Sequence, residues 1–304
     1  MEQGAFVRKP LRYTDLRAAL GEALGASPAT PVQRPSARNG VAPEAKRGLR
    51  VLVAEDHPLN QKLAQRILER RGHVVTVVAD GAKAVAATLE ACFDVILMDV
   101  QMPEMDGVAA TRAIRLAERA SGRHIPIIAL TAHALKGERE RLVAAGMDDY
   151  LSKPYDPRKL VLTIERVTAG MGHEADVGSQ TRSEPLDGEL CIFDRDKALE
   201  GALGDEAFLK EMAKMLASDL PASLDEMKKM LDTGDLPAAG QAAHRLKGAV
   251  GNLHAQATAK AAAELEAACR SVDANAAATA LWRVQSETER LLRALEEVLT
   301  GEAA

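Results

Sequence analysis

The amino-acid sequence predicts an α/β domain with a doubly wound parallel sheet, followed by an all-α domain built as an up-and-down helical bundle. In the middle of the chain, five short runs rich in β-branched residues alternate with five helical patterns. Such alternation is typical of a parallel sheet covered by helices on both faces. Toward the C-terminus the strand pattern stops, and long amphipathic helices follow one another with short connections, which favours a bundle.

Two stretches have the composition of linkers and divide the chain. Residues 25–48 hold four prolines and show no apolar periodicity, while residues 170–190 are polar and rich in glycine. Such segments connect domains rather than build a core. We therefore expect a short N-terminal piece at 1–24, a central domain at 49–169 and a C-terminal domain at 191–300.

The strands expected in the central domain are short apolar runs bounded by turn residues. They are RVLVAED (50–56), VVTVV (74–78), FDVILMD (93–99), IPIIALT (125–131) and DYLSKP (149–154). The helical patterns lie near 58–71, 82–91, 106–120, 137–145 and 157–169. Functional groups should collect at the carboxyl ends of these strands, where open parallel sheets bind their ligands.

The expected bundle consists of four longer helices. They lie near 205–231, 235–252, 255–270 and 274–299. In the second of them, apolar residues step by three and four from Leu236 to Leu253, which indicates a buried seam. Acidic residues outnumber basic ones in this domain, and the whole chain has a formal net charge of −5. Nucleic-acid binding requires clustered Lys and Arg, so we expect no nucleic-acid partner.

The cysteines and the hydropathy pattern indicate where in the cell the chain is expected. Cys92, Cys191 and Cys269 lie far apart without a CxxC spacing, which argues against a zinc site or a disulfide framework. No apolar stretch approaches the roughly 18–20 residues of a membrane span. The N-terminus also lacks the apolar core of a signal peptide. We therefore expect a soluble chain in the cytoplasm.

Charged and polar side chains follow the ends of the expected strands. Glu55 and Asp56 close the first strand, Asp99 closes the third, Thr131 closes the fourth and Lys153 follows the fifth. Three carboxylates in one crevice repel each other unless a cation binds them, and a hard oxygen-ligated ion such as Mg²⁺ suits that site. A carboxylate nucleophile, a metal, a hydroxyl and a fixed positive charge are the groups that phosphoryl transfer requires.

Four stretches of the central domain closely resemble the receiver domain of two-component response regulators. They are VLVAEDHPLNQ, VILMDVQMPEMDG, IIALTAHA and DYLSKP, and the resemblance covers about residues 49–169. It implies a flavodoxin-like sheet with strand order 2-1-3-4-5. It also implies that Asp99 accepts a phosphoryl group as an acyl phosphate.

The resemblance also implies roles for the residues around Asp99. Mg²⁺ would be surrounded by Glu55, Asp56, Asp99 and the backbone carbonyl of Gln101, with Glu55 acting directly or through water. By the same resemblance, Thr131 and Lys153 contact the phosphoryl oxygens. Tyr150 stands where the family keeps a switch aromatic, although a half-buried packing residue is the simpler alternative.

A phosphatase of the haloacid-dehalogenase type is a second interpretation of the same groups, since it also uses an aspartate, Mg²⁺, a hydroxyl and a lysine. Such an enzyme needs a second Asp two residues after the nucleophile as its general acid and base. Gln101 stands there, and an amide cannot exchange a proton near neutral pH. We therefore favour the receiver, and we hypothesise that Gln101 and His133 tune how fast water attacks the phosphoryl group.

In the C-terminal domain, the stretch QAAHRLKGAVGNL places a histidine among glycines in a helix. Gly240, Gly248 and Gly251 share a stripe with His244, although each costs about 1 kcal/mol relative to alanine. The glycines leave the helix surface around His244 without side chains, and the ring borders the core and can reach solvent. This arrangement predicts that a large partner approaches the ring closely. The ring is a good phosphoryl acceptor near neutral pH, because much of it is unprotonated. Lys247, one turn on, would stand beside a bound anion.

The stretch AAHRLKGAVGNL resembles the histidine-containing phosphotransfer (HPt) domain, over roughly residues 191–300. The resemblance implies that His244 is phosphorylated, with Lys247 and Gly248 supporting the phosphate. At the other end of the chain, AFVRKPLRYTDLRAALGEAL (5–24) resembles the last strand and helix of another receiver, with Lys9 in the place of Lys153. We therefore expect residues 1–24 to be a remnant of an upstream receiver-like domain in a hybrid sensor histidine kinase.

The sequence thus predicts a phosphorelay. A phosphoryl group would reach Asp99 from the phosphoacceptor domain of a histidine kinase, pass to His244 and leave for the aspartate of a downstream response-regulator receiver. No ATP-binding box is present, so the chain cannot make its own phosphohistidine from ATP. A non-catalytic scaffold that docks kinase or regulator partners is the alternative. The roughly 20-residue linker between the domains permits transfer within one chain or between chains.

Overall fold

The structure, a computed structural model, describes residues 48–132, 136–170 and 191–300. The expected receiver remnant with Lys9, nearly all of both linkers and His133 lie outside these ranges. Within them the chain forms a parallel sheet with its covering helices, followed by a helical bundle. Both belong to one compact unit, Arg47–Ala304.

The sheet has five parallel strands in the order β2-β1-β3-β4-β5. They are β1 (Arg50–Ala54), β2 (Val74–Val78), β3 (Val95–Asp99), β4 (Ile127–Thr131) and β5 (Asp149–Ser152). Every residue of β3 and β4 is buried, which explains why these strands read as continuous apolar runs rather than alternating ones. The predicted fold class and strand order are confirmed.

Five helices accompany these strands. They are α1 (Pro58–Glu69), α2 (Gly81–Glu90), α3 (Gly107–Ser121), α4 (Lys136–Ala145) and α5 (Pro157–Thr168). Side chains at their first positions fix where they begin: the His57 ring accepts a hydrogen bond from the first turn of α1, and Asp106 caps α3. Such caps satisfy backbone N–H groups that have no partner inside the helix.

The bundle is built from four long helices and one short one. They are α6 (Arg195–Gly201), α7 (Glu206–Asp232), α8 (Leu236–Asn252), α9 (Gln256–Arg270) and α10 (Ala274–Thr300). Each long helix packs against the next, and α10 returns to α7. The short α6, capped by Asp194, was not predicted. Among the described residues, no helix has both the length and the apolar character to cross a membrane.

Two apolar clusters form the core. One lies on the sheet face covered by α2, α3 and α4. The other lies on the opposite face under α1 and α5 and continues without interruption into the interior of the bundle. Leu59 and Leu63 of α1 belong to the same cluster as Phe208 and Met212 of α7. The bundle is therefore packed on the α1 side of the sheet.

Candidate functional site

Three carboxylates lie together at the carboxyl edge of the sheet. Asp99 is the last residue of β3, and Glu55 and Asp56 follow the end of β1, which pairs with β3 in parallel. Carboxylate oxygens of the three residues all lie within 4.8 Å of one another. Glu55 and Asp99 are buried, at 1% and 3% exposure. Three oxygen donors at this separation fit a hard divalent cation such as Mg²⁺.

Lys153 is the cation of this cluster. Its Nζ donates to Asp99 Oδ2 at 2.6 Å and also to Glu55 Oε2, and the lysine side chain is 5% exposed. Burial acts against the charged form, but the carboxylates of Asp99 and Glu55 outweigh it and raise the pKa of Lys153. Lys153 therefore stays an ammonium ion, fixed beside Asp99.

The acidic side chains hold their protons more tightly than usual. Burial raises the pKa of Asp99 to about 7; Lys153 opposes this rise and Glu55 adds to it. Burial and the neighbouring Glu55 also raise the pKa of Asp56. Two cations, Lys153 and Arg245 at 4.0 Å from Asp56, face three crowded carboxylates, so the cluster has room for further positive charge.

The remaining residues predicted around Asp99 follow the neighbouring strands. Thr131 is buried at the end of β4, next to β3, and its carbonyl accepts from the backbone N–H of Lys153 at 2.7 Å. Tyr150 is half-buried in β5. The backbone N–H of Gln101 donates to Asp99 Oδ1 at 3.1 Å, and its side chain is exposed. Thr131 and Gln101 are thus brought to Asp99, whereas His133 lies outside the described residues.

His244 lies on α8 and is held by a carboxylate from α9. Its Nδ1 lies 3.1 Å from Glu266 Oε1. The other oxygen, Oε2, accepts from Lys247 Nζ at 2.6 Å, and Arg270 also donates to Oε1 at 2.7 Å. When Nδ1 carries the proton that it donates to Glu266, Nε2 presents a lone pair. Glu266 thus orients the ring, and the sequence analysis missed it.

The charge of Glu266 is strongly stabilised. Burial acts to raise the pKa of Glu266, but hydrogen bonds with His244 and Lys247 outweigh it, and the pKa falls to about 2. Lys247 was predicted to stand beside an anion held by the ring, and in the structure the anion beside it is Glu266. The glutamate therefore remains ionised throughout the physiological pH range and ties His244 to Lys247.

A cavity of about 440 Å³ joins the acidic cluster to the histidine. Its wall includes Asp56 and Gln101 from the sheet domain and His244, Arg245 and Glu266 from the bundle. His244 lines this cavity but is only 9% exposed, so it is more enclosed than the sequence analysis expected. Glu266 of α9 lies against its ring, and Asp56 and Gln101 of the sheet domain line the same cavity. His244 thus shares a cavity with Asp56 and with Gln101, whose backbone N–H donates to Asp99.

The glycines of α8 have different neighbours. A Cβ at Gly248 would lie 3.6 Å from Asn60 Nδ2, and one at Gly251 would lie 3.8 Å from Pro154. These two glycines border the sheet domain. Gly240 faces α9. A Cβ at this position would lie 3.1 Å from Cys269 Cβ, so the close packing of α8 against α9 requires a glycine there.

Sequence comparisons match these two structural units to two families. Residues 51–165 match the response regulator receiver domain, and residues 211–300 match the Hpt domain. The chain therefore contains a receiver domain followed by an HPt domain, and this pair of domains serves phosphorelay signal transduction.

The relatives of the chain are sensor histidine kinases. Sensor histidine kinase GacS of Pseudomonas protegens is 38% identical over 209 residues, which are 67% of this chain and 22% of that protein. Signal transduction histidine-protein kinase BarA of Escherichia coli is 32% identical over 248 residues, which are 82% of this chain and 26% of that protein. The chain thus spans about a quarter of the length of these curated relatives.

A solved structure is similar to the receiver domain. It is the receiver domain of sensor histidine kinase PA1611 from Pseudomonas aeruginosa PAO1, with a magnesium ion coordinated in its active site cleft. The two sequences are 45% identical, and the match covers 40% of this chain and 98% of that one with a TM-score of 0.38.

Proposed function

We propose that Asp99 and His244 are successive phosphoryl carriers of a phosphorelay. Asp99 takes the group from the phosphohistidine of a kinase, His244 takes it from Asp99, and a downstream response-regulator receiver takes it from His244. One observation supports this order more than any other: His244 lines the same cavity as Asp56 and Gln101, which flank Asp99. Each step is reversible in principle, so the same residues can also return the group.

In the first transfer, an Asp99 carboxylate oxygen attacks phosphorus while the phosphorus–nitrogen bond of the donor phosphohistidine breaks. An acyl phosphate forms, and the donor imidazole regains its lone pair. Lys153, fixed 2.6 Å from Asp99 Oδ2, neutralises charge on the phosphoryl oxygens, and the Thr131 hydroxyl donates to one of them. Positioning and charge stabilisation account for most of the catalysis in such transfers.

In the second transfer, Nε2 of His244 attacks the phosphorus and the bond to the Asp99 oxygen breaks, which restores the carboxylate. The imidazole gains positive charge as the new bond forms. Glu266, 3.1 Å from Nδ1, accepts the ring N–H and stabilises that charge. Lys247 and Gly248 support the phosphate, Lys247 through its charge and Gly248 through the space that it leaves.

We propose Mg²⁺ as the cofactor of the first site. Glu55, Asp56 and Asp99 would hold it with their carboxylates, together with the carbonyl of Gln101. The separation of the three carboxylates, within 4.8 Å, supports this. When bound, the ion neutralises charge on the phosphoryl oxygens. Tyr150 would respond to the phosphorylated state as a switch aromatic, and Gln101 with His133 would set the lifetime of the acyl phosphate.

We further propose domain limits of 49–169 and 191–300, and a place for both domains in a hybrid sensor histidine kinase. The partners are then the phosphoacceptor domain of a kinase and the receiver of a response regulator. A cytoplasmic location fits three cysteines without disulfide bonds, because reducing compartments keep thiols free.

Labelling with acetyl phosphate in Mg²⁺ tests the proposed relay. The intact chain is incubated with [³²P]acetyl phosphate, and label that survives alkali (phosphohistidine) is separated from label that alkali removes (acyl phosphate). Asp99→Asn should carry no label, and His244→Gln should carry only the alkali-sensitive label. Wild type should carry both.

Two results would contradict the proposal. Label on neither residue of the wild type would favour the scaffold that docks partners without transfer. Alkali-stable label on Asp99→Asn would show that His244 is loaded without Asp99. Asn275→Ala, at an exposed position in the first turn of α10, serves as the control for handling and should label like the wild type.

A further inference from the structure

The receiver is held on the bundle by helix α1, which packs against α7 and α8. Its cations meet acidic groups of the bundle: Lys62 Nζ lies 2.7 Å from Glu211 Oε1, and Arg66 Nη2 lies 3.1 Å from Asp205 Oδ2. The Arg66 guanidinium also lies over the ring of Phe208. These exposed ion pairs orient the docked receiver on the bundle, although each contributes little free energy.

A buried amide pair lies at the centre of this contact. Asn252, the last residue of α8, donates through Nδ2 to Asn60 Oδ1 at 2.8 Å. Asn60 in turn donates through its own Nδ2 to Glu55 Oε1 at 2.8 Å. Both asparagines are nearly inaccessible, at 2% and 5% exposure. A buried amide that loses its partner is costly, so docking with this pair intact is favoured over docking with one amide removed. Asn252 Oδ1 has no hydrogen-bond partner among the described residues.

The docked receiver occupies the face of the bundle that carries His244. The histidine is 9% exposed, and the two glycines beyond it lie against Asn60 and Pro154 of the receiver. Arg245, next to His244, lies 4.0 Å from Asp56. A second receiver would need the same face to bring its own aspartate to the imidazole. The face therefore has one occupant at a time.

We infer that the chain's own receiver competes with other receivers for the His244 face, and that the Asn60–Asn252 pair holds it there. This inference rests on the proposed function and adds a partner and a regulation to it. Transfer from Asp99 to His244 takes place within one chain, and onward transfer requires the receiver to leave. A second receiver, of this chain or of a regulator, is admitted only after that release.

Transfer between two variants of the intact two-domain chain measures this competition. The donor chain carries His244→Gln, so that it holds label only on Asp99 after treatment with [³²P]acetyl phosphate and Mg²⁺. The acceptor chain carries Asp99→Asn, so that its only carrier is His244, and its own receiver still covers the bundle. The rate of alkali-stable labelling of the acceptor reports how often its His244 face is free.

Asn60→Ala should act differently in the two chains. In the acceptor it loosens the covering receiver, and the transfer rate should rise about tenfold, the size expected from a lost buried amide partner. In the donor the same substitution loosens the receiver from its own bundle and also weakens its contact with the acceptor, so the two effects oppose each other and the rate should stay within about twofold of that with the unmodified donor. Damage to the phosphate chemistry would not raise the rate in either chain. Asn275→Ala in the acceptor should leave the rate unchanged.

A surface variant covers the case in which Asn60→Ala disturbs folding. Lys62→Glu in the acceptor places two acids opposite each other on exposed positions and should raise the rate about threefold. Adding Glu211→Lys to the same acceptor restores an ion pair of opposite charges between its receiver and its bundle. The new lysine on the acceptor's bundle also repels Lys62 of the incoming donor receiver. The transfer rate should therefore fall below that of the unmodified acceptor.

The outcomes separate this inference from the proposed function. If labelled donor passes phosphate to His244 but neither Asn60→Ala nor Lys62→Glu in the acceptor raises the rate, the competition is refuted and the relay stands. If His244 gains no label in any mixture or in the wild-type chain, the relay is refuted, and the competition with it.

Discussion

Glu266→Gln removes the charge that links His244 to Lys247 while keeping the size of the side chain. The carboxylate holds the histidine at 3.1 Å and the lysine at 2.6 Å, and the amide has only one acceptor oxygen for these two donors. We expect the variant to be less stable and to accept phosphate on His244 more slowly. The stability loss follows from the pKa of the group.

The depressed pKa sets the size of the effect. A fall in the pKa of Glu266 from 4.5 to about 2 corresponds to about 3 kcal/mol for a fully sealed carboxylate. The adjoining cavity admits solvent, which screens the charges, so we expect the variant to lose about 2 kcal/mol at pH 7. This contribution is complete above pH 4.5 and is lost as the pH falls toward 2. The difference between variant and wild type should therefore shrink by roughly half at pH 3.5.

Urea unfolding at pH 7 and pH 3.5 measures both numbers. Glu264→Gln is the matched control, because Glu264 lies on the same helix but forms an exposed pair with Arg283, which should contribute less than about 1 kcal/mol. If Glu266→Gln unfolds at the same urea concentration as the wild type at pH 7, the reasoning fails. A difference that persists unchanged at pH 3.5 would refute its electrostatic origin.

Three further predictions concern the receiver. The pKa of Asp99 is raised to about 7, so the metal-free folded chain binds a proton there that the unfolded chain releases. The free energy of unfolding should therefore fall as the pH rises from about 4 to 8. Mg²⁺ or Asp99→Asn should reduce that fall, which urea unfolding measures. A Cβ at Gly107 would collide with the carbonyl oxygen of Asp99, so Gly107→Ala should lower the melting temperature by several degrees, whereas Ala109→Gly should cost only about 1 kcal/mol. The Tyr155 hydroxyl is buried with no hydrogen-bond partner in the described part of the chain, so Tyr155→Phe should raise stability by about 1 kcal/mol, and a loss in urea unfolding would contradict this.

Local patterns predicted the elements well because local physics determines them. The alternating runs and helical periodicities lie within two residues of the observed strands and helices from β1 to α10, since burial of one face leaves its period in the sequence. The acidic cluster was also predictable, because the carboxyl ends of neighbouring parallel strands meet at one edge. The short α6 was missed because seven residues carry too little periodicity.

Contacts between residues far apart in the sequence could not be predicted from local sequence patterns. Glu266 resembles any acidic residue of an amphipathic helix until α9 packs on α8 and brings it to His244. Asn60 and Asn252 lie far apart in the sequence, and neither shows a local sign of its partner. The enclosure of His244 was missed for the same reason, because the cavity that it lines is completed by residues of another domain. The glycine stripe predicted that a receiver approaches, but not which one.

The apolar cluster that runs from the sheet under α1 into the bundle has a consequence for how this chain melts. Modules with separate cores come apart one after the other, each with its own heat-absorption peak. Here the two modules share interior side chains, so calorimetry should record one joint peak, and either module cut out alone should melt at a lower temperature. Recombination that transfers one module alone to another protein would leave the apolar residues of the other module exposed to solvent.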